Sequence, residues 1–192
     1  MYRVDTREAL IEATRELLWD RGYGATSPRA ILDASGVGQG SMYHHFKGKE
    51  DLALAAVRRN SAEMRAQALE DLSVDGTALE RIGRYLRRER EVFRGCRCGR
   101  LAQDVDVIDS EALQTEVRGF FVWLQTQLAE VIDDGKIAGE FPARLDAALV
   151  GAAVAATLQG GYVLARATQD QAAFDAAITG VLDLLSGSRA AA

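Results

Sequence analysis

Between Ser27 and Lys49 the chain reads SPRAILDASGVGQGSMYHHFKGK, a stretch whose local signals leave room for little besides two short helices hinged at a glycine. Ser27 brings a hydroxyl able to accept a helix N-terminal N–H, and Pro28 brings a pre-set φ and no N–H of its own to satisfy. In Ala34-Ser35-Gly36-Val37, Gly36 falls where the first helix must stop, because glycine takes positive φ without a Cβ clash. Ile31, Leu32 and Ala34 give this helix an apolar side. The second helix, predicted over Gln39–Phe46, is barely two turns long and cannot stand alone. Met42 and Phe46, four residues apart, form its inward face and leave Gln39, Ser41, Tyr43, His44 and His45 outward or sideways. Amide, hydroxyl, phenol and imidazole groups on a short helix can hydrogen-bond base edges and phosphates in a major groove, and Gly40 lets backbone come close. The pattern is therefore that of a DNA-binding helix-turn-helix.

The surrounding chain is legible as helices too. Over Thr6–Arg21, Ala9, Leu10, Ala13, Leu17 and Leu18 recur at amphipathic spacing, with Asp5 and Glu8 predicted as a capping box and Gly22 and Gly24 as the stop. This helix is expected to back the helix-turn-helix, with Leu17 and Leu18 beneath Ile31 and Phe46 and Tyr23 in the core. From Lys49 to about Leu72 no breaker occurs, so one helix of roughly 35 Å is predicted, stiff enough to transmit a tilt. Thr77 is expected to cap the next, with Leu79, Ile82, Leu86 and Phe93 inward and Arg84, Arg87, Arg88 and Arg90 on an exposed face paired with Glu80, Glu89 and Glu91. A short helix over Arg100–Val107 follows. A Ser110-capped aromatic helix then runs to about Asp134, where Gly135 and Gly139 end it. The helix predicted over Leu145–Ala167 is rich in Ala and Gly; its apolar length suits a membrane span, but Thr157, Gln159 and the low hydrophobicity of small residues favour a buried helix. The last helix, Gln171–Leu185, is expected to join it in a surface that pairs with its copy as a four-helix interface. The tail from Gly187 to Ala192 is expected to be disordered.

Charge needs dividing before it informs. The whole chain carries -5, yet its first sixty residues hold nine basic and eight acidic side chains, leaving the excess of acid to the remainder. Phosphate contact needs a local basic patch rather than a basic protein. The two cysteines, Cys96 and Cys98, form an incomplete metal set, since the only histidines, His44 and His45, sit in the outward-facing helix. Packing is the favoured reading of the pair, with a thiol-oxidation switch as the alternative. No apolar leader is evident at the N-terminus, so a cytoplasmic protein without membrane association is expected.

The run Gly36-Val37-Gly38-Gln39-Gly40-Ser41-Met42-Tyr43-His44-His45-Phe46-Lys47-Gly48-Lys49-Glu50-Asp51-Leu52 resembles the signature of the tetracycline-repressor-like (TetR, AcrR-like) family of bacterial transcriptional regulators. The match covers about the first quarter of the chain; beyond it the likeness is in length and helical pattern. The resemblance implies that Arg29, Gln39, Gly40, Ser41, Tyr43, His44 and His45 touch bases or phosphates and that Lys49 meets a phosphate, and Ser27 at the helix start joins the expected DNA-binding set. Gly48 stands where the family often has Ser, Asn or Asp as a cap.

Enzyme readings fail on context. Gly36, Gly38 and Gly40 follow no strand and lack the G-x-G-x-x-G spacing, and Gly48-Lys49 precedes Glu50 where a phosphate loop needs Ser or Thr. His44 and His45 have no nucleophile or carboxylate pair to work with. A helical adaptor would leave the polar crown of the short helix unexplained. The expectation is an all-α protein with a helix-turn-helix DNA-binding domain over 1–48 and a helical ligand-binding and dimerisation domain over 49–192. It would act as a homodimeric repressor, with no cofactor or metal, released from a palindromic operator by a small apolar or aromatic effector. Tyr85, Phe93, Phe120, Trp123, Gln127, Gln159 and Tyr162 are the expected ligand pocket, where aromatic walls meet a few polar groups.

Overall fold

Most helix starts among the described residues are set by side chains that reach back to cap them. In the computed structural model, which describes residues 5–188, ten helices and no strand occur among the described residues. Asp5 accepts from the Arg7 amide to open α1 (Thr6–Arg21), and Ser27 accepts from the Ala30 amide to open α2 (Pro28–Ser35). After α3 (Gln39–His45) and α4 (Lys49–Leu72), Thr77 opens α5 (Ala78–Arg87) with a full capping box to Glu80. Cys96 caps α6 (Arg97–Leu101), Asp104 caps α7 (Val105–Ile108), and Ser110 lends its hydroxyl to the Leu113 amide in the first turn of α8 (Glu111–Ile137). Asp146 opens α9 (Ala147–Thr168) and Asp170 opens α10 (Gln171–Gly187).

The chain packs as two units; of their three boundaries, two fall inside α4 and α8 and the third between α5 and α6. The first joins the chain up to Glu63 with Cys96–Phe120. Its core is Leu10, Ile11, Leu18, Ile31, Met42 and Leu52, each withdrawn from water almost completely, which contributes roughly 1.5–3 kcal/mol per side chain. Arg15, itself buried, ties α1 to α4 by donating to Asn60 at 2.7 Å and pairing with Glu63. Arg59 reaches Glu8 across the same pair of helices at 2.9 Å.

The second unit holds Met64–Gly95 and everything from Phe121. α9 and α10 pack side by side, with Phe174 lying 5.0 Å from the Tyr162 ring and so close to Gly161 that a Cβ there would come within 3.0 Å of it. Gly151 lets α9 approach α8 until a Cβ would touch the backbone of Gln125 and Ala129 at 2.9 Å. Close helix contact is what the small residues of α9 provide.

Several expectations need correction. Glu8 does not complete a capping box: it is drawn to Arg59, whose hydrogen bond holds its carboxyl below the ordinary value of 4.5. Arg100–Val107 is two short helices, because Asp104 starts a new one in the middle. Gly135 lies inside α8, where a Cβ would sit 2.7 Å from Ala78 and from Phe141, and it is Gly139, at φ 75°, that follows the helix end. α9 begins at Ala147, two residues after Leu145, and only one of its faces is buried, so Leu149, Val163 and Leu164 stay exposed. Phe93 lies beyond α5 and is 47% exposed, so it does not share the inward row of Leu86. Of the four arginines expected to pair with Glu80, Glu89 and Glu91, Arg84 and Arg88 find acids on α4: buried Asp71 accepts from both, and Glu70 pairs with Arg88, while Arg90 donates to backbone carbonyls. Gly187 is the last residue of α10 and Ser188 follows as its C-cap, while residues 189–192 of the expected tail lie outside the described residues.

Candidate nucleic-acid interface

The turn between α2 and α3 is built as the residues require. Gly36 sits in the left-handed region at φ 67°, ψ 16°, and its amide returns to the Leu32 carbonyl at 3.0 Å. A side chain there would be strained however much room surrounds it. Ser35 fills in behind, accepting the Val37 amide at 3.3 Å. α3 has no side-chain cap at Gly38, and its only buried residue is Met42. Met42 and Phe46 are withdrawn from solvent, and the Arg7 guanidinium lies 5.5 Å from the Phe46 ring centroid. Tertiary burial of these two side chains therefore supplies the stability that seven residues lack by themselves.

Everything else on α3 faces water. Gln39, Gly40, Ser41, Tyr43, His44 and His45 are all exposed, with Tyr43 at 53% and the two imidazoles edge to face at 5.1 Å. Ser27 and Arg29 are exposed on α2, and the Arg29 side chain, 89% accessible, is held only by Asp33 at 3.8 Å. At the next helix start, Lys49 lays its ammonium 3.9 Å above the Tyr23 ring. The absent cap at Gly48 is made good differently: Asp51 turns back to accept the Lys47 amide at 3.0 Å. Burial, together with the nearby carboxylates of Glu50, Asp106 and Asp104, raises the Tyr23 phenol above its ordinary value, so the ring under Lys49 stays neutral.

One set of supporting residues escapes sequence reasoning. Asp104, eighty-one positions from Tyr23, accepts the Tyr23 amide at 2.6 Å and the Gly24 amide at 3.1 Å, while its other oxygen caps α7 through the Asp106 amide at 3.1 Å. Gly22, at φ 82°, leaves room for that carboxylate, which an added Cβ would meet at 2.6 Å. Arg97 stacks 3.8 Å from the Trp19 ring and pairs with Glu16 on α1, and Ser110 donates to Glu50 on α4 at 2.5 Å. The Asp104-Val105-Asp106 pattern signals a helix start in the sequence, but nothing in it announces the reach to the α1–α2 turn.

The chain matches the family profile described as "Bacterial regulatory proteins, tetR family" over residues 10–56, and the one described as "Tetracyclin repressor-like, C-terminal domain" over 76–181, more than half of its length. The chain belongs to the TetR family. This TetR protein is 27% identical over 175 residues, 86% of each chain, to an uncharacterized HTH-type transcriptional regulator from Lactococcus lactis subsp. lactis. Among solved structures it is similar to a TetR-family regulator from Cytophaga hutchinsonii, with a TM-score of 0.85 at 22% identity over 97% of this chain and 96% of that one. A second, from Agrobacterium tumefaciens, gives 0.84 at 26% identity over 93% and 96%. It is a TetR-family transcriptional regulator of the DNA-binding repressor type.

Of the residues expected to line a ligand pocket, Tyr85, Phe93, Trp123, Gln127, Gln159 and Tyr162 belong to the second unit and Phe120 to the first. Tyr85, Phe120 and Tyr162 are buried, Trp123, Gln127 and Gln159 are partly so, and Gln127 donates to Glu130 at 2.7 Å. Cys96 and Cys98 are buried and not joined in a disulfide. Among the described residues no group of three or more His, Cys, Asp or Glu could hold a metal ion.

Proposed function

We propose that this TetR regulator is a homodimer that occupies a palindromic operator through α3 and leaves it when a small apolar or aromatic molecule binds the helical body. The functional division would fall at 48/49, with the DNA-binding set Ser27, Arg29, Gln39, Gly40, Ser41, Tyr43, His44, His45 and Lys49. The observation that carries this is the exposed polar face of α3 over its two buried anchors, Met42 and Phe46. Arg29 and Lys49 position phosphates; Gln39, Ser41, Tyr43 and His44 read base edges. One such head contacts too few bases to discriminate, whereas two held about 34 Å apart read successive major grooves.

A second copy has a surface to meet. Along α9 the exposed stripe of Leu149, Ala153, Ala156, Val163 and Leu164 passes Gly160, above which space is open, and α10 adds Leu184 at 74% exposure. Among the described residues, α9 is the one helix that by length and composition passes for a membrane span, with a third of its most apolar window buried; pairing with a partner's α9 and α10 would cover the rest of that apolar surface without a membrane. The protein would work in the cytoplasm with no catalytic step and no cofactor. The effector would bind around Tyr85, Phe93, Phe120, Trp123, Gln127, Gln159 and Tyr162, and α4, tied to α1 by Arg15 and Arg59, would carry the displacement to the head.

Footprinting on DNA selected by the purified protein tests the interface. Tyr43→Ala with His44→Ala should abolish the specific footprint while melting like the parent, and a normal footprint overturns the assignment of α3. Ala156→Arg should convert the dimer to a monomer by light scattering.

A further inference from the structure

Among the described arginines of its unit, Arg65 is the one with a buried side-chain donor that has no hydrogen-bond partner. Arg81 holds Asp134, Arg84 and Arg88 share Asp71, Arg94 holds Glu91, and Arg90 donates to the carbonyls of Tyr85 and Leu86. Arg65, half-buried on α4, has no carboxylate within ion-pair distance among the described residues, and its Nε is buried without a hydrogen-bond partner. Its guanidinium lies 5.2 Å from the Trp123 ring centroid. The positions one turn away supply no acid on either helix: Ser61, Ala62, Ala68 and Leu69 on α4, Gly119, Phe120, Thr126 and Gln127 on α8. A guanidinium cannot shed its charge, so a buried donor left unanswered in the free protein is a place prepared for something that answers it.

We propose that Arg65 and Trp123 form the anchor for the carboxylate of an organic acid, which makes the effector of this regulator a small apolar or aromatic carboxylate. The inference rests on the ligand-responsive reading above. A planar fork of donors matches the two oxygens of a carboxylate, and a single guanidinium answers a single negative charge. Trp123 fixes the plane of the fork and supplies an apolar wall for the body of the acid. Arg65 lies sixteen residues beyond Lys49 on one continuous helix, about 24 Å along its axis, so an anion seated there acts directly on the element that carries the DNA-binding head.

The test uses the full-length protein with acetate, hexanoate, decanoate and benzoate, the matching neutral amides, and inorganic phosphate at equal ionic strength. Binding is followed by calorimetry and tryptophan fluorescence. At least one acid should bind about tenfold or more tighter than its amide and than phosphate. Arg65→Gln should remove that preference and leave amide binding unchanged, with Arg65→Lys between the two. The unliganded Arg65→Gln protein should melt at or above the parent's temperature, since the substitution deletes an uncompensated charge; a purely structural arginine would lower it. Equal binding of acid and amide, no acid bound better than phosphate, or an Arg65→Gln protein with full preference overturns the proposal. Mobility shift on the selected DNA separates it from the reading beneath it. Arg65-dependent binding that leaves the DNA complex intact at saturation sinks ligand-gated release and keeps the anion site; release by a neutral compound alone does the reverse.

Discussion

Replacing Asp104 by alanine tests whether the α6–α7 segment holds the α1–α2 turn. The carboxylate accepts three backbone amides, from Tyr23 at 2.6 Å, Gly24 at 3.1 Å and Asp106 at 3.1 Å. Loss of the helix cap costs about 1 kcal/mol. Each of the other two bonds, made to a charged acceptor, contributes about 1.5–3 kcal/mol in full burial. Gly24 is exposed and Tyr23 only half-buried, so both amides recover part of that from water and about 1 kcal/mol apiece remains. The sum, about 3 kcal/mol, corresponds to a fall in Tm of roughly 6–12 °C for a chain of this size. Thermal unfolding by circular dichroism, with urea melts to check that the m-value is unchanged, measures it. Asp104→Asn should fall between, because one carbonyl oxygen remains to serve one site or the other. A loss below about 1 kcal/mol for the alanine variant would refute the reasoning, since the cap alone accounts for that much.

Four further outcomes are expected. Lys49→Ala should weaken binding similarly across DNA sequences and reduce the slope of log affinity against log salt by about 0.9, the signature of one phosphate contact; an unchanged slope removes Lys49 from the backbone contacts. Asp71→Ala, which strips the buried acceptor from Arg84 and Arg88, should destabilise by about 2 kcal/mol in urea melts, less than a fully buried pair because both arginines can turn to water. Glu8→Gln should narrow its stability gap to the parent as the pH falls: the hydrogen bond from Arg59 lowers the Glu8 carboxyl below 4.5, so its contribution is present above that value and is lost as the pH drops through the folded-state pKa. The same gap persisting at pH 3 would contradict that assignment. Gly135→Ala forces a methyl to within 2.7 Å of Ala78 and Phe141 and should cost about 1–3 kcal/mol by overpacking.

What the sequence made legible was local. Ser27, Pro28, Gly36 and Thr77 act within three or four residues of themselves, and the structure uses each as those spacings require. The fold class followed from the same short-range signals. What stayed hidden was long-range choice. Neighbouring glutamates were the obvious partners for the α5 arginines, yet Asp71 on α4 won because it is buried beside them and its charge demands an answer. Gly135 read as a helix stop because a glycine near a helix end usually is one; only the packing of Phe141 and Ala78 against α8 shows that its missing side chain is the point. The Asp104-Val105-Asp106 pattern marks only a helix start; Asp104's reach to the α1–α2 turn stayed hidden, since an aspartate's second oxygen has no sequence signature. The exposed polar face of α3 lay in one contiguous stretch of sequence and could be read there, whereas Arg65 became conspicuous only once its buried Nε was seen to lack an acceptor.

The seven-residue α3 places its entire structural duty on Met42, with Phe46 just beyond its end, and leaves the remaining positions to solvent. On the function proposed above, stability and recognition are written on different letters of one short word. Substitutions at the exposed Gln39, Ser41, Tyr43, His44 and His45 can accumulate without eroding the fold; on the function proposed above, a lineage carrying this chain could drift from one operator to another by steps that never pass through an unfolded protein. A designer who wishes to retarget it inherits the same freedom, with five positions to randomise and two to leave alone.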